Sequence, residues 1–185
     1  MALLSIVLPA YNEEQNISNT VRVLSGLLEA NGIEYELVFI SDGSRDGTFS
    51  EIQKAAEENP RIRGAEFSRN FGKEAAIFAG LKLTGGNAVI VMDCDLQHPP
   101  EVIPKMWQLW LEGAEVVEGI KQSRGKESVA HKLSAGLFYK IMSGLIRMDM
   151  NASSDFKLLD RKVVDVLLTL PERNTFFRAL SFWAG

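Results

Sequence analysis

The feature that most constrains this chain is a repeating order of short apolar run, polar cluster and helical stretch. Leu3-Leu4-Ser5-Ile6-Val7-Leu8, closed by Pro9, reads as a strand buried on both faces. Tyr35 to Ile40 reads as a second strand, Ile62 to Phe67 as a weaker third and Ala88 to Met92 as a fourth. After the first strand, Ile17, Val21, Leu24 and Leu28 recur at helical spacing and stop at Asn31-Gly32. Asn12 is the expected N-cap of that helix, with Gln15 as its capping-box partner. Phe49 to Glu58 and Lys73 to Leu83 are the next helices. Pro99-Pro100 opens another, which runs to Gly113. A fifth strand from Ala114, a helical pattern from Val129 to Met148, a last strand from Asp155 to Leu159 and a helix from Arg161 to Leu168 complete the chain. Strands alternating with helices imply right-handed βαβ units. The expected fold is α/β: a Rossmann-like, doubly wound, mostly parallel sheet with helices on both faces, residues 1–185 forming a single domain.

Composition narrows the function. Hydrophobic residues make up 46% and charged residues 24%, enough apolar material for a packed core. Lys+Arg number 20 against 24 Asp+Glu, a net charge of −4, which argues against a general nucleic-acid binder. The single cysteine, Cys94, excludes an internal disulfide framework and a thiolate zinc site, and reads as a small buried filler. No basic segment precedes an apolar stretch at the start, so no signal peptide is expected. The longest uncharged stretch near the middle, Leu83 to Met92, is too short to span a bilayer.

The polar clusters fall where such a sheet binds ligands, beyond the C-terminal ends of its strands. Pro9-Ala10-Tyr11-Asn12-Glu13-Glu14 follows the first strand, Ser41-Asp42-Gly43-Ser44 the second and Asp93-Cys94-Asp95-Leu96-Gln97 the fourth. Asp93 and Asp95 can point the same way at a strand end and share a hard divalent cation, Mg²⁺ or Mn²⁺ rather than zinc. The alternative is that Asp-x-Asp caps a helix and that Asp42-Gly43-Ser44 is an ordinary turn. His98, before two prolines, reads as structural, and His131 as a solvated helix residue. Neither a Gly-x-Gly-x-x-Gly nor a P-loop is present, which weighs against a dinucleotide oxidoreductase and a P-loop phosphotransferase.

Four motifs occur in order: Ser5-Ile6-Val7-Leu8-Pro9-Ala10-Tyr11-Asn12-Glu13-Glu14, Ser41-Asp42-Gly43-Ser44-Arg45-Asp46-Gly47-Thr48, Phe67-Ser68-Arg69-Asn70-Phe71-Gly72-Lys73 and Met92-Asp93-Cys94-Asp95-Leu96-Gln97-His98-Pro99-Pro100-Glu101. Together they resemble family 2 glycosyltransferases of the GT-A fold. Asp155-Phe156-Lys157-Leu158-Leu159-Asp160-Arg161-Lys162-Val163-Val164 and Phe176-Phe177-Arg178-Ala179-Leu180 are similar to the branch that holds dolichol-phosphate mannose synthase and the bacterial polyprenyl-phosphate (bactoprenol) glucosyltransferases.

The resemblance implies an inverting transfer of a hexose from a nucleoside-diphosphate sugar, UDP- or GDP-linked, to a polyprenyl phosphate on the cytoplasmic face of the plasma membrane. It implies that Pro9, Tyr11 and Glu13 line the base and ribose pocket and that Asp42 contacts the nucleoside. Asp93 and Asp95 would hold Mg²⁺ or Mn²⁺ and the diphosphate, with Gln97 close to the metal. Asp155 matches a position proposed as the acceptor-side base, and Arg124, Lys157 and Arg178 would meet the acceptor phosphate. Ser41 stands where relatives commonly carry an acid, and Lys157 where many carry Arg, giving up bidentate phosphate binding. The acceptor-side region is expected to span 120–185. A transfer to a saccharide acceptor is a second reading, and a non-enzymatic receiver-type module a third. The receiver would need its acids after the first and third strands. A sugar-nucleotide pyrophosphorylase would need a Gly-rich basic loop after the first, where this chain has Pro-Ala-Tyr-Asn-Glu-Glu.

Lys132, Lys140, Ser143 and Arg147 mark one helical face and Leu133, Leu137, Phe138, Ile141, Met142 and Leu145 the other. This suits a helix at a membrane surface or an ordinary helix packed on the sheet. Relatives in the branch often continue into transmembrane helices, so a longer membrane protein is an open expectation. A homo-oligomer is equally open.

Overall fold

The computed structural model describes residues 2–119, 155–170, 177 and 180. The strands are β1 (Leu3–Ala10), β2 (Glu34–Ser41), β3 (Ile62–Glu66), β4 (Ala88–Val91), β5 (Val116–Glu118) and β6 (Lys157–Asp160). The helices are α1 (Glu14–Ala30), α2 (Thr48–Glu58), α3 (Lys73–Leu83), α4 (Ile103–Leu111), preceded by a 3₁₀ turn at Pro100–Val102, and α5 (Arg161–Thr169). The pattern from Val129 to Met148, Arg124, His131 and Arg178 lie outside the described residues.

The strands form one sheet in the order β3-β2-β1-β4-β6-β5. β1 pairs in parallel with both β2 and β4, and β2 with β3. The strand order reverses direction between β1 and β4, the switch point at which open α/β sheets take their ligands. β6 runs antiparallel to both β4 and β5, so the mostly parallel sheet carries a reversed strand inside it.

Alternation along the strands assigns the faces. Leu4, Ile6, Leu8, Leu37, Phe39 and Ile90 face one core with Ile17, Leu24 and Leu28 of α1, Ile52 of α2, and Ile103 and Met106 of α4. Val7, Val89, Val91 and Leu159 face a second core with Ile77 and Leu81 of α3 and Val163, Val164 and Leu167 of α5. Covered on both faces, these strands must be apolar throughout their middles, which is why β1, β2 and β4 read as near-continuous hydrophobic runs.

Helix α1 ends as its sequence implies. Gly32 takes φ +63°, and the Ile33 N–H donates to the Leu28 carbonyl at 3.0 Å, a Schellman closure. Its start differs from expectation. The helix begins at Glu14 with no side-chain cap, and Asn12 sits at φ +56°, where it serves a neighbouring loop instead.

The end of the sheet away from the strand C-termini is tied by one carboxylate. Glu36 Oε1 accepts from Ser5 Oγ at 2.6 Å and from the Gly85 N–H at 2.7 Å, while Oε2 meets the Arg63 guanidinium. Arg63 also donates to the Leu83 carbonyl at 2.7 Å, so β1, β2, β3 and the α3–β4 turn are joined here. Burial pushes the Glu36 carboxyl up, but the Ser5, Gly85 and Arg63 contacts outweigh it and hold the group below its ordinary value of 4.5. A lowered folded pKa means that this stabilisation is fully present above about pH 4.5 and is lost as pH falls through the folded value. Glu36→Gln is therefore expected to cost about 1–3 kcal/mol at neutral pH and to flatten the acid limb of the stability profile, read by urea denaturation across pH.

Candidate active site

At the C-terminal ends of β1, β2 and β4 lies a cleft of about 370 Å³. Its described lining is Pro9, Ala10, Tyr11, Glu13, Asp42, Asn70, Gly72, Lys73, Asp93, Cys94 and Asp95. It therefore gathers Pro9, Tyr11, Glu13, Asp42, Asp93 and Asp95, all expected site residues. Asn70, Gly72 and Lys73 of the third motif join them.

The two acidic loops beside the cleft divide the work. Glu13 and Tyr11 face the cleft, and Tyr11 is 43% exposed at its lip. Asn12, Glu14 and Asp46 instead lock the β1 and β2 loops together. Asn12 Oδ1 accepts the Arg45 N–H at 2.9 Å, and the Asn12 N–H donates to Ser44 Oγ at 3.1 Å. Glu14 Oε2 accepts the Gly47 N–H at 3.0 Å, while Asp46 Oδ2 accepts the Glu14 N–H at 3.3 Å.

Asp42 is 3% exposed and is held by the chain itself. Its two oxygens accept the Phe71 N–H at 2.7 Å and the Gly72 N–H at 2.9 Å, clamping the loop that carries Asn70 and Lys73 over the cleft. A carboxylate has about four acceptor sites, so the side chain keeps acceptor capacity towards the cleft. Neighbouring Gly43 packs against that loop so closely that a Cβ would lie 2.3 Å from the Arg69 carbonyl carbon and 2.5 Å from the Asn70 nitrogen. Its φ of +63° adds a second reason for glycine.

Beyond β4, Asp93 and Asp95 both line the cleft, as alternate residues past a buried strand do. Asp95 Oδ1 accepts the Gln97 N–H at 3.0 Å, and Leu96 between them is forced to φ +56°, a conformation that bulky L residues avoid. Leu96 packs on the core, which holds the turn. Gln97 is exposed and Cys94 is buried, its thiol pushed up to about 12 chiefly by burial, so it is a filler and not a thiolate. His98 stacks on Phe156 with ring centroids 5.1 Å apart, and its Nε2 is 3.9 Å from Asp93 Oδ2.

Asp155 reaches the same place from the far end of the chain. Because β6 runs antiparallel to β4, the residues just before β6 lie beside the C-terminal end of β4. Lys73 Nζ joins the two, at 2.6 Å from Asp93 Oδ1 and 2.9 Å from Asp155 Oδ2. Burial pulls the Lys73 ammonium down, but the two carboxylates outweigh it and hold the group above the ordinary lysine value. Lys157 is 1% exposed, stands 3.7 Å from Glu118 and is not among the cleft-lining residues.

The donor set fits a hard divalent cation. Asp93 and Asp95 offer carboxylate oxygens on the cleft wall, and Asp93 already holds a cation in the form of an ammonium. Two carboxylates are the usual protein share of a Mg²⁺ site that takes its other ligands from water and substrate phosphates.

The family model described as "Glycosyl transferase family 2" matches residues 5–168. The chain belongs to glycosyl transferase family 2. Similar members include the uncharacterized glycosyltransferase YkcC of Bacillus subtilis, 41% identical over 98% of this chain and 56% of that protein. The bactoprenol glucosyl transferase of Shigella phage SfX is 39% identical over 98% of this chain and 60% of that protein. The chain thus spans just over half the length of these family 2 relatives. Among solved structures, a mannosyltransferase of Pyrobaculum calidifontis in complex with GDP-Man and Mn²⁺ superposes with a TM-score of 0.66 at 17% identity, covering 96% of this chain and 50% of that one. This likeness is one of fold, and the GT-A architecture is the one expected from the motifs.

Gly43→Ala is expected to lower stability by more than the roughly 1–2 kcal/mol that a left-handed backbone costs an L residue, because its methyl would overlap backbone that cannot swing aside. Urea denaturation reads this, and a loss within that range would mean that the loop at 69–72 yields.

Proposed function

We propose that this family 2 domain is an inverting hexosyltransferase, moving a hexose from a UDP- or GDP-sugar to a polyprenyl phosphate at the cytoplasmic face of the membrane. The observation that carries the reading is the charge of the cleft at the β1/β4 switch point. Its described lining holds four carboxylates, Glu13, Asp42, Asp93 and Asp95, against one ammonium, Lys73. A dianionic diphosphate would be repelled from such a surface unless a cation entered with it. Mg²⁺ or Mn²⁺ held by Asp93 and Asp95, with Gln97 close by, would neutralise the departing diphosphate. Pro9, Tyr11, Glu13 and Asp42 would receive the nucleoside. The Mn²⁺ and GDP-Man of the Pyrobaculum enzyme support the donor and metal classes.

The acceptor phosphate oxygen would form the new bond to the anomeric carbon as the bond to the nucleoside diphosphate breaks on the opposite face. A phosphate monoester is largely ionised at neutral pH, with a second pKa of about 6, and needs little help from a base. Asp155 suits that role. Its carboxylate, held by the Lys73 ammonium at 2.9 Å, is placed to orient the acceptor. The lipid class rests on the bactoprenol name of relatives near 39% identity. Arg124 and Arg178 are the proposed cations for the acceptor phosphate, since Lys157 is buried 3.7 Å from Glu118. Among the described residues, no helix is long and apolar enough to cross a membrane.

Asp95→Asn is expected to abolish Mn²⁺-dependent binding of UDP and GDP while the thermal midpoint without metal stays near that of the parent. Calorimetric titration with and without Mn²⁺ checks it, and an unchanged Mn²⁺ dependence would remove Asp95 from the metal site. A panel of nucleoside-diphosphate sugars in the same titration identifies the donor.

Arg124→Ala and Arg178→Ala are expected to slow transfer to a short-chain polyprenyl phosphate roughly tenfold or more, the loss of one charge-assisted hydrogen bond, and to leave donor affinity unchanged. Parallel assays with a free sugar acceptor discriminate the saccharide reading, in which these arginines would matter little.

A further inference from the structure

The Lys73 ammonium is the link between the donor and acceptor sides of the cleft. It bonds Asp93, on the loop after β4, and Asp155, which lies 82 residues further along the chain than Lys73. Asp155 is 8% exposed, so the ammonium compensates a charge that water can hardly reach. Asp93 is different: its side chain is 34% exposed and lines the cleft beside Asp95. A cation that binds both Asp93 and Asp95 must share Asp93 with Lys73, and two positive charges at one carboxylate repel.

We propose that Lys73 is a built-in counter-cation: it occupies Asp93 while the cleft is empty, is displaced from Asp93 by an entering divalent cation, and stays tethered to Asp155. This rests on the reading of Asp93 and Asp95 as the metal carboxylates. The displacement is one of the side chain alone. Lys73 is the first residue of α3, and that turn is fixed by Glu74, whose Oε2 accepts the Phe177 N–H at 2.8 Å, and by Ala76 and Ile77, both fully buried. The Lys73 side chain itself is 41% exposed and has room to move. The tether has a consequence for chemistry. The acid on the acceptor side keeps its partner whether or not the cation is present, so Asp155 stays held in place when the donor arrives. Lys73 is a positioning residue in this scheme, acting on the cation through Asp93 and on the acceptor side through Asp155.

The test is Mn²⁺ binding without nucleotide, followed by the loss of the free-ion paramagnetic resonance signal. Lys73→Met is expected to bind Mn²⁺ at least about fivefold more tightly than the parent, the lower end of the coupling between ligands that compete. Asp155→Asn is expected to bind it more weakly, because the ammonium then pairs with Asp93 alone. In the Lys73→Met background, Asp155→Asn should have little further effect, since Asp155 acts through the lysine. Unchanged or weaker affinity in Lys73→Met overturns the proposal, as does a full Asp155→Asn effect in the double variant. Should Lys73→Met not fold, Asp155→Asn decides alone: weaker binding supports displacement and unchanged binding overturns it. Asp93→Asn separates the two levels. If it binds Mn²⁺ as the parent does, the metal assignment fails and this proposal with it. If it loses Mn²⁺ while Lys73→Met matches the parent, only the displacement fails.

Discussion

Strands β1, β2 and β4 are covered by helices on both faces, with Ile6, Leu8, Phe39 and Ile90 against one layer and Val7, Val89 and Val91 against the other. A charge placed midway along such a strand would have neither water nor a partner, at a cost of several kcal/mol. Ionisable groups are therefore driven to the strand ends. At one end Glu36 is satisfied by Ser5, Gly85 and Arg63. At the other, Asp42, Asp93 and Asp95 gather where the sheet order reverses. The cleft is a consequence of this sorting, since a parallel sheet puts the acids that end separate strands at the same edge.

Gathering acids creates an electrostatic problem, and each acid meets it differently. Asp42 spends its charge on two backbone N–H groups and so fixes the loop above the cleft. Glu14 and Asp46 spend theirs on backbone donors between the β1 and β2 loops. Asp93 and Asp155 share Lys73. What is left over on the described lining is more negative than positive charge, with Glu13, Asp42, Asp93 and Asp95 against Lys73. Acids that lock loops and acids that line the cleft are thus interleaved along the same motifs, and the residue type alone does not separate them.

Much of the frame was legible in the chain. The apolar runs of β1, β2 and β4 and the periodic apolar face of α1 with its Asn31-Gly32 stop follow from periodicity and turn chemistry, which act over a few residues. Asn12 misled because a small polar residue before an amphipathic run is the usual N-cap signal. Here the left-handed conformation at φ +56° turns its side chain to the Arg45 N–H, and that partner lies in another loop. The resemblance puts Lys157 at the acceptor phosphate, whereas the sheet buries it 3.7 Å from Glu118.

The sequence by itself determined the α/β class, the order of the strands and helices along the chain, the family, and the acids that end β1, β2 and β4. These depend on local periodicity and on short motifs. Only the tertiary structure decided that β6 enters the sheet reversed, because strand direction is set by the path of the chain between strands and not by their composition. That reversal brings Asp155 to the C-terminal end of β4, where a parallel strand in its place would have carried it to the opposite edge. It also gives Lys73 its second carboxylate, a pairing that no spacing within the sequence encodes, because Lys73 and its two partners, Asp93 and Asp155, come together only when the sheet closes.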